Sequence, residues 1–134
     1  MIAVSGSDTE HGRYRAAGLR LVDTRTWSMR TIDGDAMSVQ LAGDTLLTTG
    51  WSLDEATKRA IGIGVVAYGI EGEKHYHLFD GHDAWVALVL DGRAYVDVAG
   101  EPLRILDLST GRVVGTREQP LPTLLFGTGA GWWD

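Results

Sequence analysis

Apolar and polar residues alternate along most of the chain in short runs that stop at Gly or Asp. A period of two is the pattern of a half-buried strand. It predicts strands over Ile2–Ser5, Gly18–Asp23, Ser28–Ile32, Ser38–Leu41, Thr45–Thr49, Gly62–Tyr68, Lys74–Phe79, Trp85–Leu90, Ala94–Val98, Leu103–Asp107, Val113–Thr116 and Thr123–Phe126. Ala42-Gly43-Asp44, Glu71-Gly72-Glu73, Asp91-Gly92-Arg93 and Ser109-Thr110-Gly111 sit between neighbouring runs as hairpin turns, so the strands are read as antiparallel. Helical periodicity is nearly absent. Ser52–Ala60 has a capping-box start at Ser52 and Glu55 but one large apolar side chain, and is expected to be a loop with at most one helical turn.

A longer period lies over this one. Leu19-Arg20-Leu21-Val22-Asp23-Thr24-Arg25-Thr26 matches Leu103-Arg104-Ile105-Leu106-Asp107-Leu108-Ser109-Thr110, and Ile63–Ile70 is a degenerate copy between them. The copies stand roughly 40–45 residues apart, the spacing of propeller blades. Ile32-Asp33-Gly34-Asp35 and Phe79-Asp80-Gly81-His82-Asp83 repeat as well. With the strands of a blade lettered A to D from the axis outward, the chain reads B-C-D, A-B-C-D, A-B-C-D and a last A near Leu124. The expectation is an all-β, incomplete ring of four-stranded antiparallel blades: a partial blade over 1–35, blades over 36–81 and 82–118, and a last strand and tail over 119–134. Propellers typically have about four to eight blades, so a chain of this kind is expected to be part of a longer protein or to associate with copies of itself.

Gly81-His82, then Trp85 through Val96, then Leu103 through Val114 resemble the repeat of the WD40 and YVTN-type propeller families, most closely the bacterial YVTN kind. Leu106-Asp107 and Val22-Asp23 stand where the WD40 repeat has Trp-Asp. The resemblance implies propeller blades, with His82 fixing a turn between strands, and a chain that is the extracytoplasmic part of a larger protein carrying a membrane-anchored or signalling region. Alternating residues of the inner strands (Leu41, Leu46, Val86, Leu88, Leu90, Tyr95, Val98) are expected to pack between blades.

Net charge is -6, which argues against a nucleic-acid face. The nearest basic cluster, Arg13, Arg15 and Arg20, is flanked by Asp8, Glu10 and Asp23. Cysteine is absent, which removes disulfides, thiolate metal sites and cysteine nucleophiles. No apolar run reaches the roughly 18 residues that span a bilayer. The 18 glycines against 3 prolines fit a chain of many tight turns.

Candidate chemistry is sparse. His75 and His77 alternate on one strand and could start a zinc site with His82, Asp80 or Asp83, though a solvated outer strand explains them more simply. The Asp-Gly turns lack the ligand spacing of a calcium loop. Gly127, Gly129 and Gly131 have no helix after them, and no nucleophile elbow or Walker loop is present. No cofactor is expected. Aromatic residues near long loops are the stronger signal. Trp51 lies in the B–C loop and Trp85 just after the D–A loop, two loop types that share one rim of a propeller. Trp51, Asp54, Glu55, Lys58, His82, Asp83 and Trp85 are therefore the expected binding residues, for a protein or ligand partner. The balance is against an enzyme. The rival readings are a hydrolase or lyase at the mouth of a completed ring, and a fragment with no separate activity.

Overall fold

Fourteen strands and no helix make up the described residues of the computed structural model, which are 1–10 and 13–117. They form three antiparallel sheets in chain order, none of them closed, and one separate hairpin. The first sheet holds β1 (Ile2–Val4), β4 (Leu19–Val22) and β5 (Met29–Asp33), ordered β1-β4-β5. The hairpin of β2 (Ser7–Glu10) and β3 (Arg13–Ala16) is inserted between β1 and β4. The second sheet is ordered β10-β9-β7-β6, from β6 (Ala36–Ala42), β7 (Thr45–Asp54), β9 (Val65–Gly69) and β10 (Lys74–Leu78), while β8 (Arg59–Gly62) pairs with the far half of β7. The third runs in sequence through β11 (Ala84–Leu90), β12 (Arg93–Val98), β13 (Leu103–Asp107) and β14 (Val113–Arg117). The expected strand Thr123–Phe126 and the Gly- and Trp-rich tail lie outside the described residues.

The sheets pack face to face, and the pleat of β7 and β9 decides which side chain meets which neighbour. Leu46, Val66 and Tyr68 join Leu19, Leu21, Ala36 and Ile63 in the core between the first and second sheets. Their chain neighbours Leu47, Val65 and Ala67 point the other way and join Ala94, Val96, Val98 and Leu106 between the second and third. All five residues of β9 are therefore buried. Each large side chain removed from water in this way contributes about 1.5–3 kcal/mol.

Both links between sheets are bonded on either side, and the Asp before the next strand accepts in each. In the first, the Ala36 carbonyl accepts from Gly18 N–H at 3.0 Å and the Asp35 carbonyl from Trp51 N–H at 3.2 Å. In the second, the His82 carbonyl accepts from Gly64 N–H at 3.0 Å and the Asp83 carbonyl from Ala99 N–H at 2.9 Å. Each link is thus pinned to the sheet before it and to the sheet after it.

Three details differ from the expectation drawn from the sequence. Residues 52–60 are not all loop: β7 runs on to Asp54 and returns as β8, so that only 55–58 turn, closed by a single bond of the helical kind from Lys58 N–H to the Asp54 carbonyl. The turn that reverses it is the same one that joins β4 to β5 and β13 to β14. In each, the N–H of the fifth residue donates to the carbonyl of an Asp, from Trp27 to Asp23, Lys58 to Asp54 and Gly111 to Asp107, at 2.7 to 2.8 Å. The second difference is the β2–β3 hairpin. The third is that Leu41 and Leu90 are exposed: Leu41 lies beside the turn on the free edge strand of its sheet, and Leu90 faces away from the core on the last described sheet.

Candidate functional site

Trp51 and Asp83 meet. The indole Nε1 donates to the Asp83 carboxylate Oδ1 at 2.8 Å, joining the long hairpin of the second sheet to the link that enters the third. Gly62 makes the approach geometrically allowable. It pairs with Trp51 across the hairpin, and a Cβ on it would stand 2.2 Å from the His82 carbonyl oxygen and 2.4 Å from the Asp83 nitrogen. Only a residue without a side chain lets the link cross there. His82 sits beside Asp83 with its N–H on the Phe79 carbonyl at 3.0 Å and Nδ1 3.2 Å from the Asp80 carbonyl, so it closes its own turn while its carbonyl holds Gly64. Trp51, His82 and Asp83 are all exposed.

The other expected binding residues lie further apart. Asp54, Glu55 and Lys58 form the tip of the β7–β8 hairpin, and their side chains bond within the tip. Asp54 accepts from Ala56 N–H at 3.0 Å and from Thr57 Oγ1 at 2.6 Å, and Lys58 Nζ lies 2.6 Å from Glu55 Oε2. The bond to Thr57 and the Ala56 N–H hold the Asp54 carboxyl below the ordinary range. Asp107 is lowered in the same way by Ser109 and Thr110. Trp85 is 60% exposed and paired with Asp97, on the face of β11 opposite to Ala84 and Val86, which pack into the core.

His75 and His77 have separate partners. The ladder shifts between Lys74 and Tyr76, so simple alternation fails at His75. His75 Nε2 lies 3.3 Å from Glu73 Oε1, and His77 Nε2 lies 2.5 Å from the Ile63 carbonyl. Among the described residues, no three His, Asp or Glu side chains are grouped to hold a metal ion.

Sequence reasoning missed a second polar locus, a cleft of about 460 Å³ between the outer strands of the first two sheets, lined by Asp33, Asp35, Tyr68, Lys74 and His77 among others. Tyr68 Oη donates to Asp33 Oδ2 at 2.6 Å across the sheet interface. Burial and this bond hold the Tyr68 phenol well above its usual range, so it stays a donor. Loss of solvent and the charge of Asp33 raise the Asp35 carboxyl. The next interface has a counterpart: Tyr76 Oη donates to the Leu108 carbonyl at 2.8 Å. The partners in each pair are more than 30 residues apart, and no local motif announces them.

No family model matches the chain, and no curated protein and no solved structure matches it either. No helix among the described residues is long and apolar enough to cross a membrane.

Proposed function

We propose that the chain is a set of β-propeller blades of the WD40/YVTN-like kind, acting as a non-enzymatic interaction module within a larger ring or assembly. Three features support the propeller part. The successive sheets pack face to face, each link is bonded to the sheet before it and to the sheet after it, and Leu19–Val22, Val65–Gly69 and Leu103–Asp107 are each the last strand but one in the order of their sheet. In an antiparallel meander, the hairpin after a second strand and the link after a fourth lie at the same end of the sheets.

The observation that carries the functional reading is the Trp51–Asp83 hydrogen bond. It fixes an exposed indole on a rigid scaffold at that end, with His82 beside it. A pre-ordered aromatic loses little entropy on binding and buries a large apolar face. The groups whose protonation is shifted do not gather at this rim. Asp54, at the tip of the β7–β8 hairpin, and Asp35, in the link before β6, lie toward that end but belong to separate elements; Asp23, Glu73 and Asp107 lie in turns at the opposite end, and Tyr68 and Tyr76 between sheets. That distribution favours a binding surface over a hydrolase or lyase at the mouth.

The test is selection of peptide ligands from a random display library on the immobilised chain. Ligands of the rim lose at least about tenfold in affinity, some 1.4 kcal/mol, on Trp51→Ala, and hold on Thr24→Ala at the opposite end. If every selected ligand binds both variants equally well, the rim is not the binding surface.

A further inference from the structure

Both ends of the three-sheet stack present apolar faces. On the first sheet Ala3 and Leu21 pair and point into the core, so Ile2, Val4, Arg20 and Val22 face outward. Met29 is paired with Val22 and shares that face. On the third sheet Val86 and Val96 point into the core, so Trp85, Leu88, Leu90, Arg93, Tyr95 and Asp97 face outward, beside Ile105, which shares that face through Tyr95 and is already buried. Ile2, Val4, Met29, Trp85 and Leu90 are each between 46% and 60% exposed. Open sheet faces and edges of this kind are association surfaces.

Three observations select the occupant. The first is charge: Arg20 stands exposed among the apolar residues of one face and Asp97 beside Trp85 on the other, with Arg93 set apart at the β11–β12 turn, and neither Arg20 nor Asp97 has an ion pair or side-chain hydrogen bond among the described residues. The second is continuity. The two interior interfaces already join the trailing face of one sheet to the leading face of the next, which is the relation the two end faces would have to each other. The third is number. Two copies of three sheets make six, inside the range of about four to eight blades that closed propellers have, whereas three copies overshoot it.

We infer that the outward face of the third sheet docks on the outward face of the first sheet of a second copy, and that two such contacts close a two-chain ring. Arg20 of each chain then pairs with Asp97 of the other. The contact is heterologous, and it closes because each chain spans half the turn. This inference rests on the propeller reading.

Light scattering after gel filtration, over a hundredfold dilution of the 134-residue chain, tests it. The expected mass is twice 14.5 kDa, with no larger species at high concentration. Arg20→Asp and Asp97→Arg each weaken the dimer by at least about tenfold, because like charges then face each other, and the double variant restores it. A monomer at all concentrations, a mass that climbs without a plateau, or a dimer indifferent to the charge swap would each overturn the inference. A monomer whose Ile70–Thr110 distance still exceeds its Asp44–Arg93 distance in dipolar EPR would overturn dimer closure alone and leave the propeller reading in place.

Discussion

Trp27 occupies a left-handed backbone position, φ 57°, that glycine usually fills. Its equivalents in the two matching turns are Lys58 at the same φ and Gly111 at 72°. The strain is tolerated because the turn is over-determined. The Trp27 N–H is bonded to the Asp23 carbonyl, and the Asp23 carboxylate accepts from Arg25 N–H at 2.8 Å. Trp27 is 73% exposed and contributes little packing. An L-residue in this conformation costs about 1–2 kcal/mol, part of which glycine gives back through its freer unfolded chain. Trp27→Gly should therefore stabilise the chain by about 0.5–1 kcal/mol in urea denaturation. A lowered midpoint would mean that the indole makes contacts that its exposure does not suggest. Gly111 shows the other side of the constraint: a Cβ there would stand 2.6 Å from the Tyr76 ring, so this copy of the turn must keep glycine.

Among elements, one sheet is locked to the next by the cores, the bonds of the links, the Trp51–Asp83 bond and the two tyrosine bonds. Tyr68→Phe removes the donor to Asp33 while keeping the ring in its core, so it should cost about 1–2 kcal/mol. In an Asp33→Ala background the same change should cost clearly less, because the partner is already gone. Equal costs in both backgrounds would show that the bond contributes nothing. The alternating runs and Asp-Gly turns of the third sheet were legible, since a half-buried strand writes its pleat into the sequence: β11 and β12 meet at Asp91-Gly92, where both residues have positive φ. The β2–β3 hairpin was not legible, because Ser7–Glu10 has no apolar residue and the alternation of Arg13-Tyr14-Arg15-Ala16 is only four residues long. The extension of β7 was hidden by Ser52 and Glu55, whose spacing imitates a helix cap while the backbone uses Asp54 to close a turn. The Trp51–Asp83 meeting could be anticipated from which loops share an end of the sheets. The Tyr68–Asp33 bond could not, because a register shift between Leu19 and Arg20 sets where Asp33 falls.

At the scale of the molecule, a propeller requires the three sheets to be wedges around an axis rather than plates in a parallel pile. Parallel plates would keep one spacing, about 10 Å, from edge to edge. Wedges stay close at the β6 and β11 edges and spread at β10 and β14. The chain has no cysteine, so engineered thiols carry spin labels without background. Labels at Asp44 and Arg93 report the separation of the β6–β7 and β11–β12 turns, and labels at Ile70 and Thr110 that of the β9–β10 and β13–β14 turns, all four positions being exposed. Dipolar EPR on labelled chain diluted into unlabelled chain reads each distance within one molecule. The Ile70–Thr110 distance is predicted to be clearly longer than the Asp44–Arg93 distance; equal distances, or the reverse order, would contradict the propeller.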